Sequence, residues 1–252
     1  MPLLPAVLLV ISLAAIAWLT WRDIGEYEKF KRLTDTRDRQ ARYRRWVLGA
    51  FALFVGGSLA ILAILGKLGC VIHPPKAFFG VMRWAQAQGP SDAGALLLGG
   101  MTAGAATSIV VISVVAAIVS RRRGAALKTR TLGDIAPLMP RNWPETAWTA
   151  LLSINAGVGE ELFFRLTLPL LIALVTGSAP AAFAAAAVVF GLVHIYQGWI
   201  GVLATMLLGV VFTGVYLVTG SIFWPIALHA AFDLLGLVVR PTFVRLAQAR
   251  RA

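Results

Sequence analysis

The chain has 252 residues, of which 59% are hydrophobic and only 13% charged, and its mean hydropathy is +0.80. About a quarter of the residues of a typical soluble protein are charged, so this composition excludes an ordinary soluble domain. The formal net charge of +12 suggests nucleic acid only until its distribution is read: nine Lys/Arg fall in 22–45, six in 120–145, four in 240–252 and three in 67–93. That alternation of rich and poor loops is the pattern of positive-inside topology, and no nucleic-acid partner is expected.

Apolar runs cover 2–21, 46–66, 94–119, 146–177, 181–197, 199–219 and 221–239. A helix needs about 20 such residues to cross roughly 30 Å of hydrocarbon, and runs of this length are too long for barrel strands. The expected fold is all-α, a polytopic membrane bundle of seven or eight transmembrane helices. The first run lacks a basic leading segment, and Trp18, Thr20, Trp21 and Arg22 make a poor cleavage site, so it reads as a retained span rather than a signal peptide. Segment 22–45 mixes five acidic residues with its nine basic ones and reads as a solvated helical hairpin arm near lipid headgroups. The loop 67–93 contains Cys70, which has no partner cysteine for a disulfide. His73 there precedes two prolines and reads as incidental. On the third run Gly100 and Gly104 make a GxxxG step for helix packing. Gly133-Asp134 is half of an aspartyl-protease signature but sits in a basic loop and reads as a turn.

The chain then changes character. Residues 1–145 hold three spans with long polar loops, whereas 146–239 hold four spans joined by turns at 176–180, Gly198 and Thr219-Gly220, before a basic tail at 240–252. Charge parity puts the N-terminus outside and the C-terminus in the cytoplasm. The absence of organelle signals and the short length favour a bacterial inner membrane.

Residues 146–239 contain only six charged or imidazole side chains, Glu160, Glu161, Arg165, His194, His229 and Asp233. Each unpartnered charge at mid-bilayer costs about 2.5–3.5 kcal/mol, so these groups should meet in a protected cavity. Glu161 and Arg165 are spaced i,i+4 and can pair on one helix face. Glu160 is rotated about 100° from Glu161 and is free for another partner. Phe190 and His194, and His229 and Asp233, repeat the i,i+4 relation. One free carboxylate with two imidazoles suits water activation by general base catalysis, with the second imidazole and its neighbour stabilising an oxyanion. The set Glu160, His194 and His229 could equally ligate Zn²⁺. No HExxH or GxSxG pattern is present. Intramembrane Glu, His and Asp also serve proton relays in transporters, and a catalytically silent scaffold or immunity protein is a further alternative.

The motifs Glu160-Glu161-Leu162-Phe163-Phe164-Arg165, Phe190-Gly191-Leu192-Val193-His194 and His229-Ala230-Ala231-Phe232-Asp233, in this order on successive helices, resemble the CAAX-protease and bacteriocin-processing family of intramembrane endopeptidases. The resemblance covers about 146–239. It implies a peptidase acting on peptide or membrane-protein substrates at the lipid bilayer, glutamic or metallo in type. By it Glu160 is the base, His194 helps activate the water, His229 and Asp233 stabilise the oxyanion, and Glu161 with Arg165 and Phe190 supports the site. Asp233 stands where the best-known members have Asn, and Leu166 where many bacterial members have Gly. An ionised Asp is a poor oxyanion donor, so Asp233 must be protonated, orient His229 or bind a metal.

Overall fold

A computed structural model describes residues 3–88 and 133–249. Its elements are α1 (Leu3–Lys31), α2 (Thr36–Ile64), α3 (Phe79–Gln88), α4 (Trp143–Glu161), α5 (Leu168–Thr176), α6 (Ala179–Leu192), α7 (Gly198–Thr219), α8 (Phe223–Leu234) and α9 (Arg240–Ala249). Among the described residues there is no strand. Among the described residues four helices are long and apolar enough to cross a membrane: Leu3–Lys31, Thr36–Ile64, Ile195–Thr219 and Phe223–Leu246. The expected span at 94–119, with Gly100 and Gly104, lies outside the described residues.

The outer surface is that of a multi-pass membrane protein. On α7, Trp199, Leu203, Leu207 and Val210 form one outward stripe, each more than half exposed. Such a contiguous apolar stripe is not a soluble surface; it suits lipid. The polar residues turn inward instead. Ser153, Glu161 and Arg165 are buried on α4 and its continuation.

Two expected spans are corrected in length. The run at 181–197 is not one helix: α6 closes at Leu192, and Ile195–Gln197 forms a single 3-10 turn. Fourteen residues at 1.5 Å each reach about 21 Å, less than the bilayer core. His194 therefore stands on irregular backbone where it lines a protein cavity. At the other end, the helix of the last span continues past Val239 through α9. α9 is tied to the start of α4 by Arg245, whose Nη2 donates to Thr146 Oγ1 at 2.9 Å.

Among the described residues three π-helical segments interrupt the helices, at Phe51–Gly56, Leu162–Thr167 and Leu235–Val239. Such wide turns recur at functional sites. The first two face each other, with the Phe54 ring 5.6 Å from Phe163 and 5.7 Å from Phe164. The expected turns form as the residues require: Gly177 and Gly220 close α5 and α7 with φ of 74° and 66°, and Ser178 caps α6 through its side chain. Gly157 lets α4 approach α8 closely, since a Cβ there would meet the Ala230 nitrogen at 2.7 Å. Alanine at this position would push apart the two helices that carry Glu160, Glu161 and His229.

Segment 22–45 is a helical hairpin, made of the ends of α1 and α2, but it is not simply a solvated arm. Tyr27, Phe30, Arg39 and Tyr43 are buried in it. Arg39 Nε pairs with Glu145 Oε2 at 3.1 Å, with both side chains fully buried. Arg39 Nη2 also donates to Tyr43 Oη, Pro137 O and Met139 O. Glu145 accepts from Thr36 Oγ1 and the Arg141 amide. This latch fixes the α1–α2 hairpin to the start of α4. Arg39→Ala or Glu145→Ala strands a buried charge, so each is expected to lower stability by about 3–5 kcal/mol, read as a reduced Tm in detergent; unchanged melting in both variants would contradict the latch.

Candidate active site

The three motif helices bring all six polar groups into one cluster. Glu161 sits at its closed end, its side chain fully buried, and its Oε1 meets Arg165 Nη1 at 2.9 Å and His229 Nδ1 at 2.6 Å. The first contact is the i,i+4 pair expected from spacing. The second joins α4 to α8 and was not legible in the sequence, because it crosses 68 residues of chain.

Glu160 points elsewhere, as the helix rotation requires. Its Oε2 lies 3.8 Å from His194 Nε2 and 3.9 Å from His229 Nε2. Among the described residues no donor hydrogen-bonds this oxygen. Its side chain is 17% exposed where that of Glu161 is 0%, so the two adjacent carboxylates differ in access: one opens on a cavity and the other is sealed.

Both imidazoles are oriented from behind. His194 Nδ1 lies 2.7 Å from Phe190 O. A carbonyl only accepts, so Nδ1 carries the hydrogen and Nε2 turns to Glu160. His229 Nδ1 donates to the Glu161 carboxylate and likewise presents Nε2. Asp233 Oδ2 lies 3.8 Å from His229 Nε2, too far for a direct hydrogen bond. His194 stands just past the end of α6 rather than on it, and the expected contact with Phe190 is present, ring to ring at 4.9 Å.

Aromatic rings complete the cluster. The Arg165 guanidinium lies 4.2 Å over the Phe190 ring and 5.5 Å from Phe212. Phe212 stacks on His229 at 5.1 Å. A phenylalanine on an apolar span carries no signal of such a role. Gly209 leaves room for Phe190, since a Cβ there would meet its Cδ1 at 2.9 Å. Leu166 is fully buried in the core.

A cavity of about 130 Å³ opens on Glu160 and His194. Its remaining walls come largely from α1 and α2, to which the sequence assigned no role. Tyr27 donates to Asp134 O, Asp134 pairs with Lys31, and the Asp134 amide donates to Gln197 O. The bend at Gly133-Asp134 thus closes one end of the site beside the His194 turn. His73 is exposed in the connection after α2, remote from the cluster in sequence and element.

For zinc, donors around a tetrahedral ion with bonds of about 2.0–2.1 Å lie roughly 3.3 Å apart. The separations of 3.8 and 3.9 Å at Glu160 are wider, and among the described residues no group of three or more His, Cys, Asp and Glu is arranged to hold a metal ion.

Residues 142–235 match the family model of the type II CAAX prenyl endopeptidases, described as Rce1-like. The match begins at the α4 cap and ends just after Asp233, so it contains the whole cluster. No curated protein and no solved structure matches the chain.

Proposed function

We propose, from the match of residues 142–235 to the family model of the Rce1-like type II CAAX prenyl endopeptidases, that this protein is an intramembrane endopeptidase hydrolysing peptide bonds of membrane-associated substrates. The observation that supports it best is Glu160 Oε2 facing two imidazole Nε2 atoms that are each fixed through Nδ1. Glu160 takes a proton from a water held between it and His194. The water oxygen attacks the scissile carbonyl, and the C–N bond breaks as the proton passes to the leaving amine. His229, held by Glu161 as a triad histidine is held by its carboxylate, acts as the imidazolium: Nδ1–H stays on Glu161 while Nε2–H donates to the oxyanion. Were Zn²⁺ the activator instead, Glu160, His194 and His229 would hold it and it would supply Lewis acidity to the water.

The direct test is cleavage of a peptide library by the purified protein in detergent, with Glu160→Ala as control. Equal cleavage by both proteins would remove the peptidase assignment. Asp233→Asn separates two roles for that residue. A neutral hydrogen-bond donor is replaced by Asn with most activity kept; a charged orienter of His229 or a metal ligand is not. We expect most activity to remain. Near-complete loss, with chelator inhibition of the wild type, would favour the metal site.

The same reading puts the N-terminus outside, the C-terminus inside and the cavity open to the cytoplasm. Cysteines introduced beside Glu160 and His194 should react with a membrane-impermeant thiol reagent from the cytoplasmic side alone. Labelling only from outside would reverse the topology.

A further inference from the structure

His194 rides on a short turn rather than on a helix, because α6 stops at Leu192. Within that turn the His194 amide donates to Gly191 O at 3.1 Å and the Gln197 amide to His194 O at 2.9 Å. A segment with so few bonds opens locally at little cost unless other parts of the chain pack on it. The bend at Gly133-Asp134 packs on this one. The Asp134 amide donates to Gln197 O at 2.9 Å, and among the described residues it is the one backbone bond that reaches the turn from beyond α6 and α7. The approach requires glycine: Gly133 has a φ of 75°, and a Cβ there would meet Gln197 O at 3.0 Å and Gly201 Cα at 3.1 Å.

Tyr27 of α1 fixes the bend from its other side. The buried Tyr27 hydroxyl donates to Asp134 O, and Lys31, one turn further along α1, pairs with the Asp134 carboxylate at 2.6 Å. The Tyr27 ring meets the Tyr196 ring edge-on at 5.0 Å. Tyr196 lies 6.0 Å from the His194 ring, and its hydroxyl accepts from Gln197 Nε2 at 3.0 Å. Two routes therefore run from α1 to the imidazole. One follows hydrogen bonds from Tyr27 through Asp134 and Gln197 to the His194 carbonyl, and the other passes from ring to ring through Tyr196. Tyr27 and Asp134 both lie outside the family match over 142–235.

We infer that Tyr27 is a positioning residue for His194, holding the 194–197 turn through Asp134 and Tyr196 so that His194 Nε2 stays aimed at Glu160. Its effect on turnover rests on the peptidase reading; its effect on the imidazole does not. The held geometry makes a particular demand on that ring. Nδ1 must carry the hydrogen to donate to Phe190 O at 2.7 Å, whereas a neutral imidazole free of such a bond can carry it on either nitrogen. The tautomer of His194 thus reports whether the turn is held.

The full chain in detergent micelles, ¹⁵N-labelled at its three histidines, gives the test by NMR at about pH 8, where an ordinary imidazole is neutral. The His194 signal is identified by its loss in His194→Gln. Wild type should show His194 as the Nδ1–H tautomer. Tyr27→Phe keeps the ring against Tyr196 and removes only the hydroxyl. Loss of that one hydrogen bond should raise the Nε2–H population of His194 about fivefold. Turnover of a library peptide should fall about tenfold in kcat with KM unchanged, as when a catalytic group is displaced without loss of substrate contacts. Gly133→Ala, which drives the bend off the turn, should do at least as much. Leu62→Ala, in the buried core far along α2, should lower Tm and change neither the tautomer nor kcat. An unchanged His194 signal in Tyr27→Phe overturns the inference, and so does an equal change in Leu62→Ala, which would make the effect one of general stability. A tautomer change with kcat unaltered overturns it too, since His194 would then need no positioning. Absence of turnover in wild type sinks the peptidase reading instead, and the tautomer comparison alone then decides whether Tyr27 holds His194.

Discussion

Glu160→Gln is expected to lower peptide turnover by about 10²–10⁴-fold, with folded yield and Tm close to wild type. Glutamine keeps the shape of the side chain and loses only the capacity to take a proton. The structural cost is small because no donor among the described residues hydrogen-bonds Glu160 Oε2, and the side chain borders a cavity rather than the sealed core. The measurement is kcat on a cleaved library peptide beside thermal melting in detergent. A variant that keeps more than about a tenth of wild-type kcat, against the loss general base catalysis predicts, takes Glu160 out of the base role.

Glu161→Ala should damage the protein in the opposite way, through the fold. One oxygen of Glu161 holds both Arg165, whose side chain is 1% exposed, and His229. Removing it leaves the Arg165 guanidinium buried without a carboxylate, and the expected loss of stability is about 3–5 kcal/mol. Arg165→Ala strands Glu161 and should cost a similar amount. The double variant should be less destabilised than the sum of the two, because the partners share one interaction. Residual folded Glu161→Ala protein should also turn over slowly, since His229 has lost the group that fixes its ring. Single variants as stable as wild type, or strict additivity in the double, would dissolve the pairing. The two neighbouring carboxylates thus separate experimentally: one change silences the site and the other weakens its frame.

The sequence by itself determined the class of the fold and the membership of the site. Long apolar runs at low charge have no soluble alternative, because each requires a lipid-facing surface. Charges are too costly within such runs to be scattered, so the six that occur between 146 and 239 had to converge, and they do. Helix periodicity alone separated Glu160 from Glu161 and paired the latter with Arg165, since those relations lie within a few residues of chain. What the sequence left open depends on contacts between distant segments. The end of α6 short of the bilayer, which places His194 on a turn, is set by packing and is invisible in a uniformly apolar run from 181 to 197. The burial of Arg39 with Glu145 qualifies the solvated reading of segment 22–45 at one buried latch, because a basic stretch shows its charge but not the partner 106 residues away. The bond from His229 to Glu161, the stacking of Phe212 and the cavity walls from α1 and α2 belong to the same class. Each joins residues whose types carry no mark of the pairing, and only the close approach of whole helices, such as α4 to α8 at Gly157, decides which of them meet.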